Sequence, residues 1–344
     1  MSANTFFHEV HQELDAKLIP CGKWNLPATY PGGAVMEHRH TVESASLFDL
    51  SGTGCFQLTG RKCGEVLDKI FVHKVSALPV GKMMENMLLH ETGTFSAVFT
   101  LNRMKDEDFM LHLESNTPEK ERKYLLESLQ KNGITVRDLS GAMAMLALLG
   151  PEAKNILKSA GAEELPGVNE WKMISVCDED GDSFRAIAIG HDRFGLTGFD
   201  LCVNPDNAVE FYGAIYRING IAPAGLRAWE SLRLESGTPG VPGELHDGVT
   251  PAECGLEIPG GAESLKSVLV MIETARHPAL PGSTVKINGE LPAGVITSGA
   301  YCPVAGKARM FCRMELSALE AAGKKVTIQV NGEAVEALML EKIR

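Results

Sequence analysis

Residues 83–114, MMENMLLHETGTFSAVFTLNRMKDEDFMLHLE, carry the reading that decides the fold. Three apolar runs, Met83 to Leu89, Thr94 to Leu101 and Phe109 to Glu114, are set apart by turn chemistry at Glu91-Thr92-Gly93 and by a charged loop at Lys105 to Asp108. Short apolar runs punctuated in this way predict an antiparallel sheet.

On the N-terminal side, Cys55 to Thr59 alternates toward Gly60 and adds a strand. Phe6, Val10, Leu14 and Leu18 recur at steps of four, which predicts an amphipathic helix over 5–18 that Pro20 stops. On the C-terminal side, Pro118, Pro151 and Pro205 each open a helix and Gly133, Gly161 and Gly220 close them. Proline suits a first helical turn and glycine the position past the last. Trp171 to Cys177 and Phe184 to Ile189 read as strands between the second and third of these helices, so the middle section is an α+β unit. Past residue 260, short strands with Asn288-Gly289 and Asn331-Gly332 turns predict a small terminal β-barrel or sandwich.

Composition limits the function classes. The chain has 344 residues, 44% hydrophobic and 22% charged, enough for several domains with real cores. A net charge of −11 opposes binding to nucleic acid or to an anionic membrane surface, both of which need clustered Lys and Arg. No apolar run reaches the roughly 18 residues of a membrane span, and the start, MSANTFFHEVHQELD, does not read as a leader; the expectation is a cytoplasmic protein. The eight cysteines form no C-x-x-C pair and read as reduced core thiols. His38 and His40 have the His-x-His spacing that on a strand turns two imidazoles to one side, but no second ligand cluster accompanies them, so no metal is expected. The lone G-x-G at Gly52 to Gly54 lacks the rest of a nucleotide-binding pattern.

A wider pattern spans nearly the whole chain. Trp24, Pro27, Tyr30, Glu37, His38, Phe48 and Asp49 fall in step within PCGKWNLPATYPGGAVMEHRHTVESASLFD, residues 20–49. Collinear blocks follow at Pro79 to Leu89, at Leu148-Leu149-Gly150-Pro151, in PAGLRAWESLRLESG over 223–237, at Thr250 to Glu253 and in GVITSGAYCP over 294–303. In this order they resemble the glycine cleavage system T-protein, an aminomethyltransferase family. The resemblance implies an α+β fold of three domains in a cloverleaf around a central channel, with a C-terminal small β-barrel. The expected domains are 1–52 with 138–245, 53–137 with 246–260, and 261–344. Between Leu256 and Gly294 the chain is shorter than is usual in the family, which implies a trimmed linking helix.

The family passes an aminomethyl group from a lipoyl carrier protein to tetrahydrofolate, so the resemblance implies that cofactor, that partner and a ligand in the channel. An Asp in a Gly-Gly-x-x-Asp-Asp pattern serves the step. Here that position is Ala97, or Ser96 with a slip of one residue, and a hydroxyl cannot supply the charge. By the same resemblance a pocket Tyr becomes Glu85, an Asn becomes Glu114, a Gln becomes Leu149, an Arg becomes Trp229 and a Tyr becomes Val241. If Glu85 and Glu114 face the channel, a cationic or amine ligand suits them; the alternative is that both are simply solvated. Arg233, Glu235 and Glu253 keep the family's residues and can either bind ligand or form an ion-pair network. Two functions remain open: a folate-dependent transferase of aminomethyl or methyl groups with a non-standard site, and an inactive T-protein-fold binding or assembly protein with another ligand. The iron-sulfur-related branch is last, because its Lys-Gly-Cys-Tyr-x-Gly-Gln signature is missing from 190–200.

Overall fold

A computed structural model describes residues 2–259, 265–275, 277–287, 289, 291–321, 325–330 and 332–342. Two compact units divide the chain: residues up to Leu88 with Ala97–Trp229, and Leu89–Ser96 with Glu230 onward.

In the first unit a five-stranded sheet runs in the order Met83–Leu89, Phe95–Lys105, Asp108–Leu113, Gly54–Thr59, Thr135–Asp138, the second strand beginning in the other unit. Alternation decides what each side meets. Phe56, Leu58, Leu88, Ala97, Phe99, Leu101, Phe109, Leu111 and Leu113 form one apolar core with Leu125 and Leu129 of the helix Glu119–Lys131. Within it the rings of Phe71 and Phe99 lie 4.6 Å apart, a contact of about 1 kcal/mol beyond simple burial.

A six-stranded sheet runs Glu170–Cys177, Ser183–Arg193, Leu196–Val203, Ala144–Leu149, Ala45–Asp49, Ile221–Pro223. Helices Ala153–Ser159 and Ala208–Tyr216 pack on it through Ile156, Leu157, Phe211 and Ile215. These helices and Glu119–Lys131 stand where the Pro and Gly punctuation predicts them.

The second unit holds a closed six-stranded barrel, Ser267–Thr274, Lys307–Glu315, Leu291–Cys302, Thr284–Ile287, Lys325–Val330, Glu333–Lys342, filled by Val270, Ile272, Ile296, Met310 and Ile328. Closure leaves no free sheet edge. Both predicted hairpins are present, Thr284–Ile287 with Leu291–Cys302 and Lys325–Val330 with Glu333–Lys342. Gly289 and Gly332 have the positive φ of their turns, while Asn288 and Asn331 lie outside the described residues. No helix lies between Gly255 and Ser267 among the described residues.

Two expectations need correction. The first helix covers only His8–Glu13; Asp15 turns left-handed at φ 53°, and Leu18 and Pro20 belong to the strand Lys17–Cys21 at the edge of a three-stranded sheet, where proline is tolerated. His38 and His40 lie on the helix Gly33–Glu43, where residues two apart do not face each other. His38 is buried, and the His40 ring bonds the Gly220 carbonyl at 3.1 Å. Glu37 of that helix accepts from the Tyr30 and Gly225 amides at 2.6 and 2.9 Å, a structural use of the motif's acid.

Candidate functional site

The side of the five-stranded sheet turned away from its core carries Glu85, Thr100, Asn102, Met110, His112 and, one step past its strand, Glu114. Glu85 and Glu114 therefore share a face, and both are exposed.

A cation on which both glutamates act is Arg193. It ends the strand Ser183–Arg193, and the two-residue loop Phe194-Gly195, both at positive φ, returns the chain into Leu196–Val203. The hairpin brings its own partners together. Arg193 donates two bonds to the Asp200 carboxylate at 2.8 and 3.0 Å, and His191 Nε2 makes a third at 3.0 Å. Gly198 makes room for the imidazole, since a Cβ there would lie 2.3 Å from His191 Cε1. Burial by itself would raise the Asp200 carboxyl, but Arg193 and His191 more than offset it and hold it below the usual carboxylate range. Burial likewise disfavours the Arg193 cation; Asp200, and then the fields of Glu114 and Glu85, outweigh it. The two glutamates thus stand within electrostatic reach of an internal cation that is already bidentately paired.

Trp229 completes this region. Its ring takes the Arg193 guanidinium at 5.0 Å from the centroid and meets Phe48 and Phe194 edge-on at 5.2 and 5.1 Å. Counting Glu85, Glu114 and Asp200 against Arg193, the patch is net acidic with an aromatic wall.

The strand Phe95–Lys105 separates the two residues at the usual acid position. Ala97 points into the apolar core, and Ser96 lies on the strand's other side, buried, its hydroxyl without a partner among the described residues. An acid at 97 would enter the core; one reaching the other side must stand at 96. Leu149 is fully buried at the end of its strand, opposite Gly198.

The remaining candidates lie in the second unit and are tied up structurally. Arg233 donates to Glu230 at 2.9 and 2.6 Å, to Glu244 at 2.8 Å and to Ser298 at 2.9 Å. Glu235 accepts from the Ala305 amide, and Glu253 from Ser267 at 3.0 and 2.9 Å and from the Thr250 amide at 3.0 Å. Of the three, Arg233 is held by ion pairs to Glu230 and Glu244, while Glu235 and Glu253 accept hydrogen bonds from amide and hydroxyl groups. Lys307 pairs with Glu273.

A family model described as the GCVT N-terminal domain matches residues 7–259. The chain belongs to this GCVT family. Its curated relatives include an aminomethyltransferase of Xanthomonas axonopodis pv. citri, 26% identical over 97% of this chain and 94% of the relative. Another is an aminomethyltransferase of Corynebacterium aurimucosum, 28% identical over 95% and 93%. The solved glycine cleavage system aminomethyltransferase T from Bartonella henselae superposes with a TM-score of 0.88 over 99% of this chain and 97% of that one, at 22% identity, and so shares the fold.

The sequence singles out Glu85, Glu114 and Trp229 but not Arg193, Asp200 and His191, which the structure joins within one hairpin. The signal was available: Asp200 interrupts the apolar run Phe199 to Val203, and an acid in a buried strand requires a partner.

Proposed function

We propose that the chain is a T-protein-like one-carbon transferase that moves an aminomethyl or methyl group to tetrahydrofolate from an amine or other cationic donor. The observation that carries this is the acidic, aromatic-walled patch on the sheet face: Glu85 and Glu114 share one open side beside the paired Arg193, and Trp229 stands over that arginine.

The donor set fits a reduced pterin, whose amino and ring N–H groups are donors that carboxylates accept. Tetrahydrofolate supplies, when bound, the secondary amine that takes up the one-carbon unit. Glu85 and Glu114 would accept from its N–H groups or offset a donor's positive charge, and Trp229 with Phe194 would exclude water from one side. Carboxylates aimed where positive charge develops lower the barrier most when water is kept out. With Ala97 in the core and a hydroxyl at Ser96, that charge stabilisation falls to Glu85 and Glu114. A lipoyl carrier protein is the proposed source of an aminomethyl group, and the cytoplasm the proposed place of work. Among the described residues no helix is long and apolar enough to cross a membrane.

The test is calorimetric titration with tetrahydrofolate under reducing, oxygen-free conditions. Saturable micromolar binding that weakens in Glu85→Gln and Glu114→Gln supports the reading. Absence of heat and of thermal stabilisation sinks it, and favours the second reading, an inactive binding protein with a non-folate cationic ligand. That reading draws on one observation: the strand residue on the core side is Ala97, so the strand presents no carboxylate at either 96 or 97.

A further inference from the structure

The barrel of the second unit carries a cleft of about 190 Å³ lined by charges of both signs around an aliphatic floor. Its geometry follows from strand register. Leu338 of the strand Glu333–Lys342 is paired with Lys325 on one side and with Glu273 on the other, and Glu273 is paired in turn with Arg309. Directly opposed residues share a face, with Cβ atoms roughly 5 Å apart. Their chain neighbours Ile272, Val326, Ala337 and Met310 fill the barrel, so this row and the cleft above it lie on the outer face. Lys307, which opens the strand Lys307–Glu315, and Ala275, just past Ser267–Thr274, complete the wall at Glu273; Glu336 completes the wall at Lys325.

Each wall can release a charged group to a ligand. Glu273 is 7% exposed and is engaged by Lys307 and, at 3.8 Å, by Arg309 Nε. Its carboxylate therefore keeps a cation when Lys307, whose side chain is 45% exposed, turns its ammonium elsewhere. Arg309 Nε has no hydrogen-bond partner among the described residues and can tighten on Glu273 in exchange. Across the floor, Lys325 and Glu336 pair at 2.9 Å with side chains 69% and 66% exposed. So exposed a pair contributes little, and Glu336 is readily given to another cation.

The lining decides the ligand class. Among the described residues it offers two ammonium and two carboxylate groups. A ligand of one sign is opposed as much as it is attracted, whereas one carrying both signs meets a complement for each. Leu338 and Ala275 give its carbon frame an apolar seat. The volume is that of about six waters at about 30 Å³ each, short of the roughly 300 Å³ from which drug-sized sites begin, and admits a body of fewer than about ten heavy atoms.

We infer that this cleft binds a free α-amino acid with a short aliphatic side chain, its carboxylate on Lys307, its ammonium on Glu336 and its side chain over Leu338.

The test is calorimetric titration of the full chain with L-valine, using isobutyrate and isobutylamine as probes that each carry one of its two charges. One valine per chain should bind in the millimolar range, because exposed charge contacts are individually weak, and each single-charge probe should bind at least about tenfold more weakly. Glu336→Gln should weaken valine binding at least about fivefold, whereas Lys325→Met, which frees Glu336, should not weaken it. Both side chains are exposed, so the two variants should melt as the parent does and their binding can be compared directly. If valine gives no saturable heat, if either single-charge probe binds as tightly as valine, if Glu336→Gln binds as the parent does, or if Lys325→Met weakens binding as much as Glu336→Gln, the site does not exist.

Discussion

Asp200 is a buried carboxylate whose hydrogen-bonded charge partners, Arg193 and His191, come from its own hairpin. Replacing it with Asn leaves Arg193 as an uncompensated cation beside Trp229, and removal of one member of a buried pair typically costs about 3–5 kcal/mol. Urea unfolding of Asp200→Asn at pH 7 should show a loss of that order with an unchanged m-value. The acid branch has a defined sign. The folded carboxyl titrates below its ordinary value of 3.8, so as pH falls past that point the unfolded chain takes up the proton first. The stability due to Asp200 is complete above about pH 4 and is lost at lower pH. The Asn variant should lack this part of the acid slope. At this scale the sequence was legible wherever period two applied: Glu85 and Glu114 share a face because strands alternate. It was less legible where a partner lies across a turn: Asp200 stands out inside the apolar run Phe199 to Val203, but nothing in the order of residues names Arg193 and His191 as the groups that surround it.

Glycines show how whole elements are held. Gly150, after the strand Ala144–Leu149, has φ 139°, and a Cβ there would sit 2.3 Å from the Ser44 carbonyl oxygen and 2.6 Å from Ala45 Cα. Gly150→Ala should therefore lower stability by more than about 3 kcal/mol, combining backbone strain with a clash against main chain. Gly213, inside the helix Ala208–Tyr216 with nothing within 4 Å of its virtual Cβ, is the contrast. Gly213→Ala should raise stability by up to about 1 kcal/mol; melting curves of the two variants, moving in opposite directions, check both. In the second unit the part of the helix Leu226–Ser236 from Glu230 on, the segment after it and the barrel strand Leu291–Cys302 meet at Glu244, which is fully buried and accepts from Arg233 at 2.8 Å, Gly240 N at 2.9 Å, Thr297 at 2.6 Å and Ser298 at 2.7 Å. Glu244→Ala should cost about 3–5 kcal/mol in the same unfolding assay, because it removes one of the two carboxylates paired with Arg233 and the shared acceptor of Gly240 N, Thr297 and Ser298. Elements with strong punctuation were readable from sequence. The helix Gly33–Glu43 was not, because the face it buries is polar, Glu37, His38 and Thr41, so no apolar periodicity announces it. The helix near the N-terminus was overextended for the converse reason: Leu14 and Leu18 keep the period, but the left-handed turn at Asp15 breaks the element between them.

For the whole molecule, charge is the property that acts without regard to detail. At −11 the chain repels polyanions at distances set by salt, and the two arginines described above, Arg193 and Arg233, are each matched by carboxylates. The protein should pass unretained through a heparin column at about 0.15 M salt, while retention would reveal a basic surface that the pairing of Arg193 and Arg233 does not suggest. The α+β fold and its terminal barrel were legible because collinear blocks of Gly, Pro and apolar residues describe a scaffold. The chemistry was less so, because one or two substitutions on a strand change a site without changing its frame.

The four bonds to Glu244 have a practical meaning for anyone dividing this chain into pieces. A cut at residue 261, the natural border by sequence, would release a barrel whose Thr297 and Ser298 hydroxyls have lost their shared acceptor. A longer piece starting at Glu230 carries the acceptor and its arginine along. The barrel's border, judged by what its side chains hold, lies some thirty residues before the border its strands suggest, and expression of the shorter piece should give the less soluble product.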